Sequence, residues 1–563
     1  MNSSRVVTVV GWSLLGLALA LLYPPVIHAA NLTVCLAGSP TCDYAVIQEA
    51  VDAASDGDVI KVASGEYTEI NNHGSLAQVV YIDKSIIIRG GYTAPDFSEP
   101  PDPQANPTTL DAKEGGRALY ITGSASPVVE GLRLTGGDAN ALGGGPFGRD
   151  AGGGVYISTA TATLRDNQVL SNTAEWYGGG VYVHSSLDVT LSENEISHNT
   201  THHGGGGGSG LYLSESNVTL SDNTISNNTA TGSGIVYGGG LYLSYSTANL
   251  SSNTISGNTA TWSLYDSYGG GVYVTGSDAT FDGDTISGNH ARSGGGLYLD
   301  ESDTTVNDST VLDNEAGDHG GGLYVFGGDV TVSHNTISGN HALKRGGGLY
   351  LSGSAGSLDE NVFSENTASS DGGGMYVAYS NPTLTNNVIA DNEANTASGV
   401  YLLASSPDLL HTTIAHNGST VLTVGGSARS IPSALRTFEE PMSHTGGDGI
   451  GLYVKNWDTD YSEVNLTNTI LAGHTVGIYV AGGNTATLEA TLWASNDRDW
   501  DGAGAIFTGT VNVRGDPAFV NPGNGDYHIS SGSAAIDEGV NAGVNIDIDG
   551  EPRPLDGGYD IGA

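Results

Sequence analysis

The sequence predicts an all-β protein: a single right-handed parallel β-helix of about fourteen to sixteen coils, with an N-terminal helical cap and a C-terminal capping module. Three observations carry this prediction. A Gly-Gly-Gly-(Val/Leu)-Tyr motif recurs about every 26 residues, two columns of asparagine stand at fixed places between the motifs, and the apolar runs alternate over lengths too short for helices. A unit of this size cannot bury its own apolar face, so its copies must stack.

The composition indicates a repeat protein rather than a disordered chain. The chain has 563 residues, of which 85 are glycine, and strand-forming residues stand between glycines that recur at a fixed period. There are 61 acidic residues against 18 basic ones, so the net charge is −43. This charge excludes nucleic acid and anionic membranes as default partners, and it favours divalent cations or a neutral or cationic surface.

The first 30 residues are typical of an export signal. Arg5 precedes an uncharged apolar run over residues 6–22, and Pro24 ends it ahead of a small-residue cleavage site. We therefore expect a signal peptide at residues 1–30 and a secreted or cell-surface location. An uncleaved membrane anchor is the alternative, because the run lies at the lower limit for crossing a bilayer.

The chain opens on a predicted cap, residues 31–117, that includes the first coils. Cys35 and Cys42 are the only cysteines, and in an oxidising compartment they should form a disulfide that staples the first turn. Residues 47–54 have helical spacing and should cover the end of the first coil.

The regular repeats are predicted over residues 118–403. In each Leu-Tyr-Leu or Val-Tyr-Val strand the aliphatic residues share one parity and should face the core, which turns the tyrosine outward. The expected result is an exposed stripe of rings, read either as cross-strand pairs that stabilise the sheet or as a stacking platform for sugars. The tyrosines are Tyr156, Tyr182, Tyr212, Tyr242, Tyr273, Tyr298, Tyr324, Tyr350, Tyr376 and Tyr401, with weaker copies at Tyr453 and Tyr479.

Two asparagine columns are predicted to turn the chain. Asparagine tolerates left-handed backbone angles, and its amide can bond the equivalent amide one coil away. We therefore interpret both columns as structural. One contains Asn172, Asn199, Asn228, Asn258, Asn289, Asn314, Asn340, Asn366 and Asn392, and the other contains Asn167, Asn194, Asn223, Asn253, Asp284, Ser309, Asn335, Asn361 and Asn387.

These features resemble the right-handed β-helix family that contains pectate lyases and many bacterial surface proteins. The pairing of Gly-Gly-Gly-Leu-Tyr with Asn-Thr-Ile-Ser-Gly-Asn also resembles the repeats of polymorphic outer-membrane adhesins, and residues 43–69 look like the cap that opens such folds. The resemblance implies the fold. It leaves the activity open, because this fold serves both enzymes and inert stalks.

A lyase of this family would need carboxylates for calcium and a basic residue beside them. Aligned by repeat, the turns before the glycine motif bring Asp318, His319, Arg345 and Asp371 onto neighbouring coils. These four residues are the best candidate catalytic group. Salt bridging between exposed turns is the alternative interpretation.

Three coils are longer than the rest, with tyrosine-to-tyrosine intervals of 30 or 31 residues, and the added length lies in one loop. Aromatic residues in these and the preceding loop are candidates for ligand binding, since stacking suits neutral polymers such as polysaccharide. Local packing at the edge of the coils is the alternative. The residues are Trp176, Tyr177, Tyr237, Trp262, Tyr265 and Tyr268.

The C-terminal part is predicted to contain an irregular insertion at 404–448, further coils at 449–514 and a capping module at 515–563 that closes the last coil. Within the module Asp547 and Asp549 stand in a segment that resembles the front of a calcium-binding loop. Calcium is therefore a candidate ligand, although no cofactor is required by the sequence.

The sequence favours an extracellular, non-catalytic β-helix that presents aromatic residues and loops to a polysaccharide or cell-surface glycan, in the manner of an adhesin. The alternatives are a polysaccharide lyase or another carbohydrate-active enzyme of the same fold, and a purely structural spacer. The oligomeric state is open.

Overall fold

The computed structural model describes residues 29–36, 42–261, 266–418, 448–555 and 557–563. The predicted signal peptide lies almost entirely outside these residues. No helix in the described part of the chain is long and apolar enough to cross a membrane.

The chain winds into a parallel β-helix whose coils contribute strands to three sheets. In the tyrosine sheet the strand of each coil pairs with the same strand of the next coil, so that Tyr156 lies opposite Tyr182 and Tyr182 opposite Tyr212. The strands of this sheet are Asn71–His73, Leu76–Ile82, Arg117–Thr122, Val155–Ser158, Val181–His184, Leu211–Ser214, Leu241–Ser244, Val272–Thr275, Leu297–Asp300, Leu323–Phe326, Leu349–Ser352, Met375–Ala378, Val400–Leu403, Ile450–Lys455, Val476–Val480 and Arg498–Asp501.

The wide sheet has 31 strands, because most coils add two strands separated by a bend. The first strands are Asn31–Val34, Val59–Ala63, Ile87–Tyr92, Val128–Glu130, Thr163–Arg165, Val189–Ser192, Asn217–Ser221, Thr247–Ser251, Asp278–Asp282, Thr304–Asn307, Thr331–Ser333, Ser357–Asp359, Thr383–Thr385, Asp408–Leu410, Glu463–Ala472, Thr485–Ala494 and Ala505–Thr508. The second strands are Gly65–Tyr67, Thr108–Asp111, Leu132–Thr135, Gln168–Leu170, Glu195–Ser197, Thr224–Ser226, Thr254–Ser256, Thr285–Ser287, Thr310–Leu312, Thr336–Ser338, Val362–Ser364, Val388–Ala390, Thr413–Ala415 and Asn512–Arg514, with the two ten-residue strands serving both columns. The first strands indicate about 17 turns, slightly more than the sequence predicts.

The short sheet joins the coils on the third side. Its strands are Thr173–Ala174, Thr200–Thr201, Thr229–Ala230, Val236–Tyr237, Thr259–Ala260, Ser267–Tyr268, His290–Ser293, Glu315–His319, His341–Ala342, Thr367–Asp371 and Glu393–Thr396. Short 3₁₀ turns at Pro146–Gly148 and Pro522–Asn524 and the antiparallel hairpin Phe519–Asn521 with Asp526–Ile529 complete the described elements.

The N-terminal cap is confirmed. A helix at Ile47–Ala53 packs Ile47, Ala50 and Val51 against the first coils, where each of them is buried. Cys35 and Cys42 form the expected disulfide, with their Cα atoms 5.9 Å apart.

Both asparagine columns form the expected hydrogen-bond ladders. The Asn199 amide nitrogen donates to Oδ1 of Asn228 at 3.0 Å and to the carbonyl of Val169, one coil back, at 2.9 Å. The backbone N–H of Asn199 also donates to that same Oδ1. Each rung thereby satisfies buried backbone groups at a bend, so these residues are structural.

The tyrosine column faces outward as predicted, but the expected exposed stripe is wrong for many of its members. Tyr156, Tyr182, Tyr212 and Tyr376 are among those that are buried. Neighbouring rings lie 4.4 to 5.5 Å apart from Tyr81 to Tyr479 and cover one another. Several turns before the glycine motif also fold over the rings, as Tyr177 does over Tyr212 and His319 over Tyr350, so the column stabilises the sheet rather than offering a free platform.

The predicted insertion at 404–448 begins later than expected. Residues 404–418 complete a regular coil, since Asp408–Leu410 and Thr413–Ala415 pair with the strands on either side. The rest of that insertion, 419–447, falls outside the described residues.

The C-terminal module does not close the last coil, which corrects the sequence prediction. After Asn512–Arg514 the chain turns back and lies along the outer face of the second strands, where Tyr527, Ala535 and Ile561 bury apolar residues such as Ala390 and Ile470. Hydrogen bonds hold it there. Asn386 donates to the Ile546 carbonyl, Asn468 to the Val540 carbonyl, and Tyr527 Oη to Asp391 Oδ2 at 2.7 Å.

We expect Tyr527→Phe to loosen this module. The change removes the donor to Asp391, whose half-buried carboxyl already has a pKa raised by burial, and the cost should be about 1–3 kcal/mol. Amide hydrogen exchange over the 519–529 hairpin should become faster while exchange in the rod is unchanged. Tyr245→Phe is the matched control, because Tyr245 is 73% exposed, and equal exchange in the two variants would contradict the expectation.

Candidate functional site

The structure brings the four predicted catalytic residues together on the turns before the glycine motif. His319 pairs with Arg345, and Arg345 with Asp371, as bridge partners on successive coils. Arg345 Nε donates to Asp371 Oδ2 at 3.1 Å, and the two oxygens of Asp318 accept from Arg292 Nε at 2.8 Å and Lys344 Nζ at 2.6 Å. These residues form a ladder of alternating charge, which was the alternative interpretation.

The charges of this ladder are mutually satisfied. Burial alone would raise the pKa of the Asp318 carboxyl, but hydrogen bonds from Lys344 and Arg292 outweigh it and lower that pKa. Burial lowers the pKa of His319 to about 4, so its imidazole is neutral at pH 7, and it stacks on Tyr350 with ring centroids 4.9 Å apart. Asp318 therefore lacks a free oxygen for calcium. Among the described residues, no three or more His, Cys, Asp or Glu side chains are placed so that together they could hold a metal ion.

Three of the six predicted aromatic ligand-binding residues form a second layer over the tyrosine column. Tyr177 is buried against Tyr212, and Tyr237 and Tyr268 are half-buried against Tyr273. Their rings pack locally, as the alternative interpretation expects, because the turn that carries them folds back onto the sheet, and ligand binding by these residues stays a prediction. Trp262 and Tyr265 lie outside the described residues.

Trp176 stays half-exposed, but its ring faces are engaged. The His203 imidazole stacks on it with centroids 3.5 Å apart, and the Arg149 guanidinium lies 3.8 Å from the indole centroid. Arg149 also donates to the Tyr177 hydroxyl at 2.8 Å. Arg149, Trp176 and His203 therefore form a stacked cluster, which we call the Trp176 wall, rather than an open surface for a ligand.

A loop over residues 136–152 stands beside this wall and presents Phe147, which is 95% exposed with a left-handed φ of 59°. Such a conformation is uncommon for a bulky side chain and needs support from its surroundings. The support comes from Arg117, which is fully buried and donates to the carbonyls of Gly143 and Ala151, and from Asp150, which accepts two backbone N–H groups of the loop.

The same loop borders a cleft of about 490 Å³ on the short-sheet side of the rod. The side chains around it are all polar: Glu114, Asp138, Asn140, Ser171, Thr173, Glu175 and His202. Glu175 and His202 are the chain neighbours of the stacked pair Trp176 and His203. Within the described residues no ion pair engages the three carboxylates of this cleft, in contrast to Asp318.

The repeat pattern of the sequence does not reveal this cleft. Glu114 and Asp138 lie in early coils that lack the glycine motif, so their alignment with Glu175 is not visible as a repeat. The sequence does carry one signal of an unusual feature here, which is an arginine at a glycine position. Arg117 stands where the next two coils have the middle glycine of the motif, Gly153 and Gly179. A buried cation there implies a loop above it.

The predicted calcium residues lie in the C-terminal module. Asp547 Oδ1 accepts the backbone N–H groups of Asp549 and Glu551, and Asp549 forms an ion pair with His528 at 2.9 Å. These contacts order the loop, and calcium binding there remains a prediction.

The repeated coils define a right-handed parallel β-helix protein. Four overlapping stretches, residues 113–286, 236–363, 270–431 and 321–493, match the family model described as the right handed beta helix region. Together they span more than half of the chain, and the protein belongs to that family.

Several solved structures are similar to this chain. The A-module of mannuronan C-5 epimerase AlgE4 from Azotobacter vinelandii is 11% identical, with 82% of this chain and 94% of that chain covered and a TM-score of 0.31. The DFA-IIIase from Arthrobacter chlorophenolicus in complex with GF2 is 14% identical, with 68% of this chain and 90% of that chain covered and a TM-score of 0.30. Pectate lyase Pel9A is 11% identical, with 95% of this chain and 96% of that chain covered and a TM-score of 0.22. TM-scores in this range carry no functional inference. No curated protein matches the chain.

Proposed function

We propose that this protein is an extracellular, non-catalytic β-helix that binds a polysaccharide or cell-surface glycan, in the manner of an adhesin, at the polar cleft bounded by the 136–152 loop. The observation that carries the proposal is the cleft itself, which is lined by three carboxylates, an amide, hydroxyls and an imidazole, with no ion pair to the carboxylates among the described residues. Such groups bond sugar hydroxyls, while Phe147 offers an exposed ring for the apolar face of a sugar.

Charge supports a neutral glycan as the ligand. The cleft has carboxylates and no lysine or arginine in its lining, and the whole chain carries −43. A uronic-acid polymer would be repelled by this surface, whereas a neutral polymer would not.

A glycan array with direct binding measurements tests the proposal. We expect Phe147→Ala and the double variant Asp138→Asn, Glu175→Gln to weaken binding of the best glycan by about tenfold or more, which is about 1.4 kcal/mol. Tyr245→Ala, which removes an exposed ring elsewhere on the rod, should bind like the unmodified protein. Equal affinity in all variants would reject the cleft, and an empty array would favour a structural spacer.

A carbohydrate-active enzyme is the second candidate, because unpaired carboxylates that face one cleft are also what glycoside hydrolysis requires. Incubation of the array hits should then release new reducing ends, and Glu175→Gln should abolish the release. A lyase at the charge ladder would instead give ultraviolet-absorbing products that disappear with Arg345→Ala.

A further inference from the structure

The second strands of the wide sheet present a regular strip of hydroxyl groups on five consecutive coils. Thr224, Thr254, Thr285, Thr310 and Thr336 occupy one outward column in direct strand register. Two residues later each coil has an outward serine, except for Leu312 on the fourth coil. We call these ten positions the hydroxyl strip.

The strip is rigid and periodic. Between each threonine and the next outward residue lies an isoleucine or valine that is fully buried in the core, and none of the five strands shifts register. The repeat is therefore about 4.8 Å along the rod and about 6.6 Å along each strand. Threonine is stiff at χ1, so the hydroxyls and methyls keep fixed positions.

The strip is also free of charge, which is unusual on a chain with a net charge of −43. On the first strands of the same region the outward positions include Asp278 and Asp282. Where the C-terminal module covers the second strands, the equivalent positions become apolar, as at Val388 and Ala390. The strip is thus neither an ordinary acidic surface nor a covered one.

We propose that the hydroxyl strip binds the surface of ice. A crystalline face of water presents oxygen atoms at a fixed repeat of similar scale, and each hydroxyl can both donate to and accept from that lattice. The hydroxyls of the five threonines make no hydrogen bond within the described part of the chain, so they are available. Single contacts of this kind are weak, but a rigid periodic array makes many of them at once without a large ordering cost.

A polysaccharide is disfavoured as the occupant of this strip. The strip has no aromatic ring and no amide, carboxylate or guanidinium group, which are the side chains that usually orient sugars. The proposal is therefore independent of the cleft and its glycan.

The test is partition into slowly growing ice, together with inhibition of ice recrystallisation. We expect the full chain to be enriched in the ice, and the double variant Thr254→Lys, Thr285→Lys to be excluded to the level of an inert protein. The double variant Asn249→Lys, Thr280→Lys is the matched control, since it places the same two charges on the first strands of those two coils and should behave like the unmodified protein. The double variant Thr254→Val, Thr285→Val removes hydroxyls without charge and should reduce enrichment with unchanged thermal unfolding.

Exclusion of the unmodified protein from ice would overturn the proposal, and so would equal enrichment of the lysine variant. Depletion onto crystalline cellulose or chitin, with no affinity for ice, would also overturn it and assign the strip to a polysaccharide surface. Loss of glycan binding in the Phe147 and Glu175 variants would bear only on the cleft.

Discussion

Replacement of Asn258 by alanine should lower the stability of the rod by about 4 kcal/mol or more. Asn258 is fully buried, and its Oδ1 accepts both the backbone N–H and the side-chain amide of Asn228 at 3.0 Å. Its own amide donates to the Ile225 carbonyl at 2.8 Å. Alanine leaves the buried Asn228 N–H without its acceptor, at about 1–3 kcal/mol, removes the side-chain donor to the Ile225 carbonyl, at about 1 kcal/mol, and leaves a void beside Gly240.

Chemical unfolding followed by circular dichroism, with hydrogen exchange to locate the change, measures this effect. Asn249→Ala provides the control, because Asn249 lies on the same coil but is exposed and takes no part in the ladder. A loss below about 1 kcal/mol at Asn258 would show that the ladder contributes little to stability, contrary to the structure.

Replacement of Asp284 by asparagine should stabilise the protein at neutral pH. Asp284 occupies a rung of the other ladder, where its Oδ1 accepts from the Asn253 amide at 3.0 Å, but its Oδ2 is buried without a partner among the described residues. In Asn253 the corresponding nitrogen donates to the Leu220 carbonyl. Burial raises the pKa of Asp284 from 3.8 to about 6, because it disfavours the charged carboxylate. A carboxylate also has no proton to donate where asparagine donates its amide N–H.

The sign of the pH effect follows from this raised pKa. The folded state favours the neutral carboxyl of Asp284. The stability that this group contributes to the folded protein is therefore complete below pH 3.8 and is lost as the pH rises towards 6. A shift of about two units corresponds to about 3 kcal/mol. Asp284→Asn should therefore be more stable than the unmodified protein by about 2–3 kcal/mol at pH 8 and by little at pH 4.

Thermal unfolding from pH 4 to 8 checks this expectation as a difference between the two proteins. Asp282→Asn removes an exposed carboxylate from the same coil and should give no comparable gain. A variant that is less stable than the unmodified protein at pH 8 would contradict the assignment of Asp284 as a strained rung.

The regular part of the fold could be predicted from the sequence because its determinants are local and repeated. The parity of Leu-Tyr-Leu places Leu213 inward and Tyr212 outward on each coil, and the structure confirms both orientations. The burial of Tyr212 could not be predicted. It depends on Tyr177, from the preceding coil, folding back over the ring.

The position of the C-terminal module has a signal in the sequence. Outward residues on the second strands are threonine and serine in Thr254–Ser256 but valine and alanine in Val388–Ala390. An apolar outward position on a rod implies a cover, and the residues beyond 514, which follow the last coil, are able to supply one. For the polar cleft the sequence carries only the signal of Arg117 at the middle-glycine position, because Glu114 and Asp138 come from coils that lack the glycine motif.

The folded-back module also changes how the rod can come apart. A solenoid in which each coil touches only its neighbours can open one coil at a time from either end. Here Ile546 is bonded to Asn386, and Val540 to Asn468, so contacts across 160 and 72 residues tie distant coils together. The C-terminal coils must therefore open as one cooperative block, whereas the coils upstream of Val362 keep the freedom to fray singly.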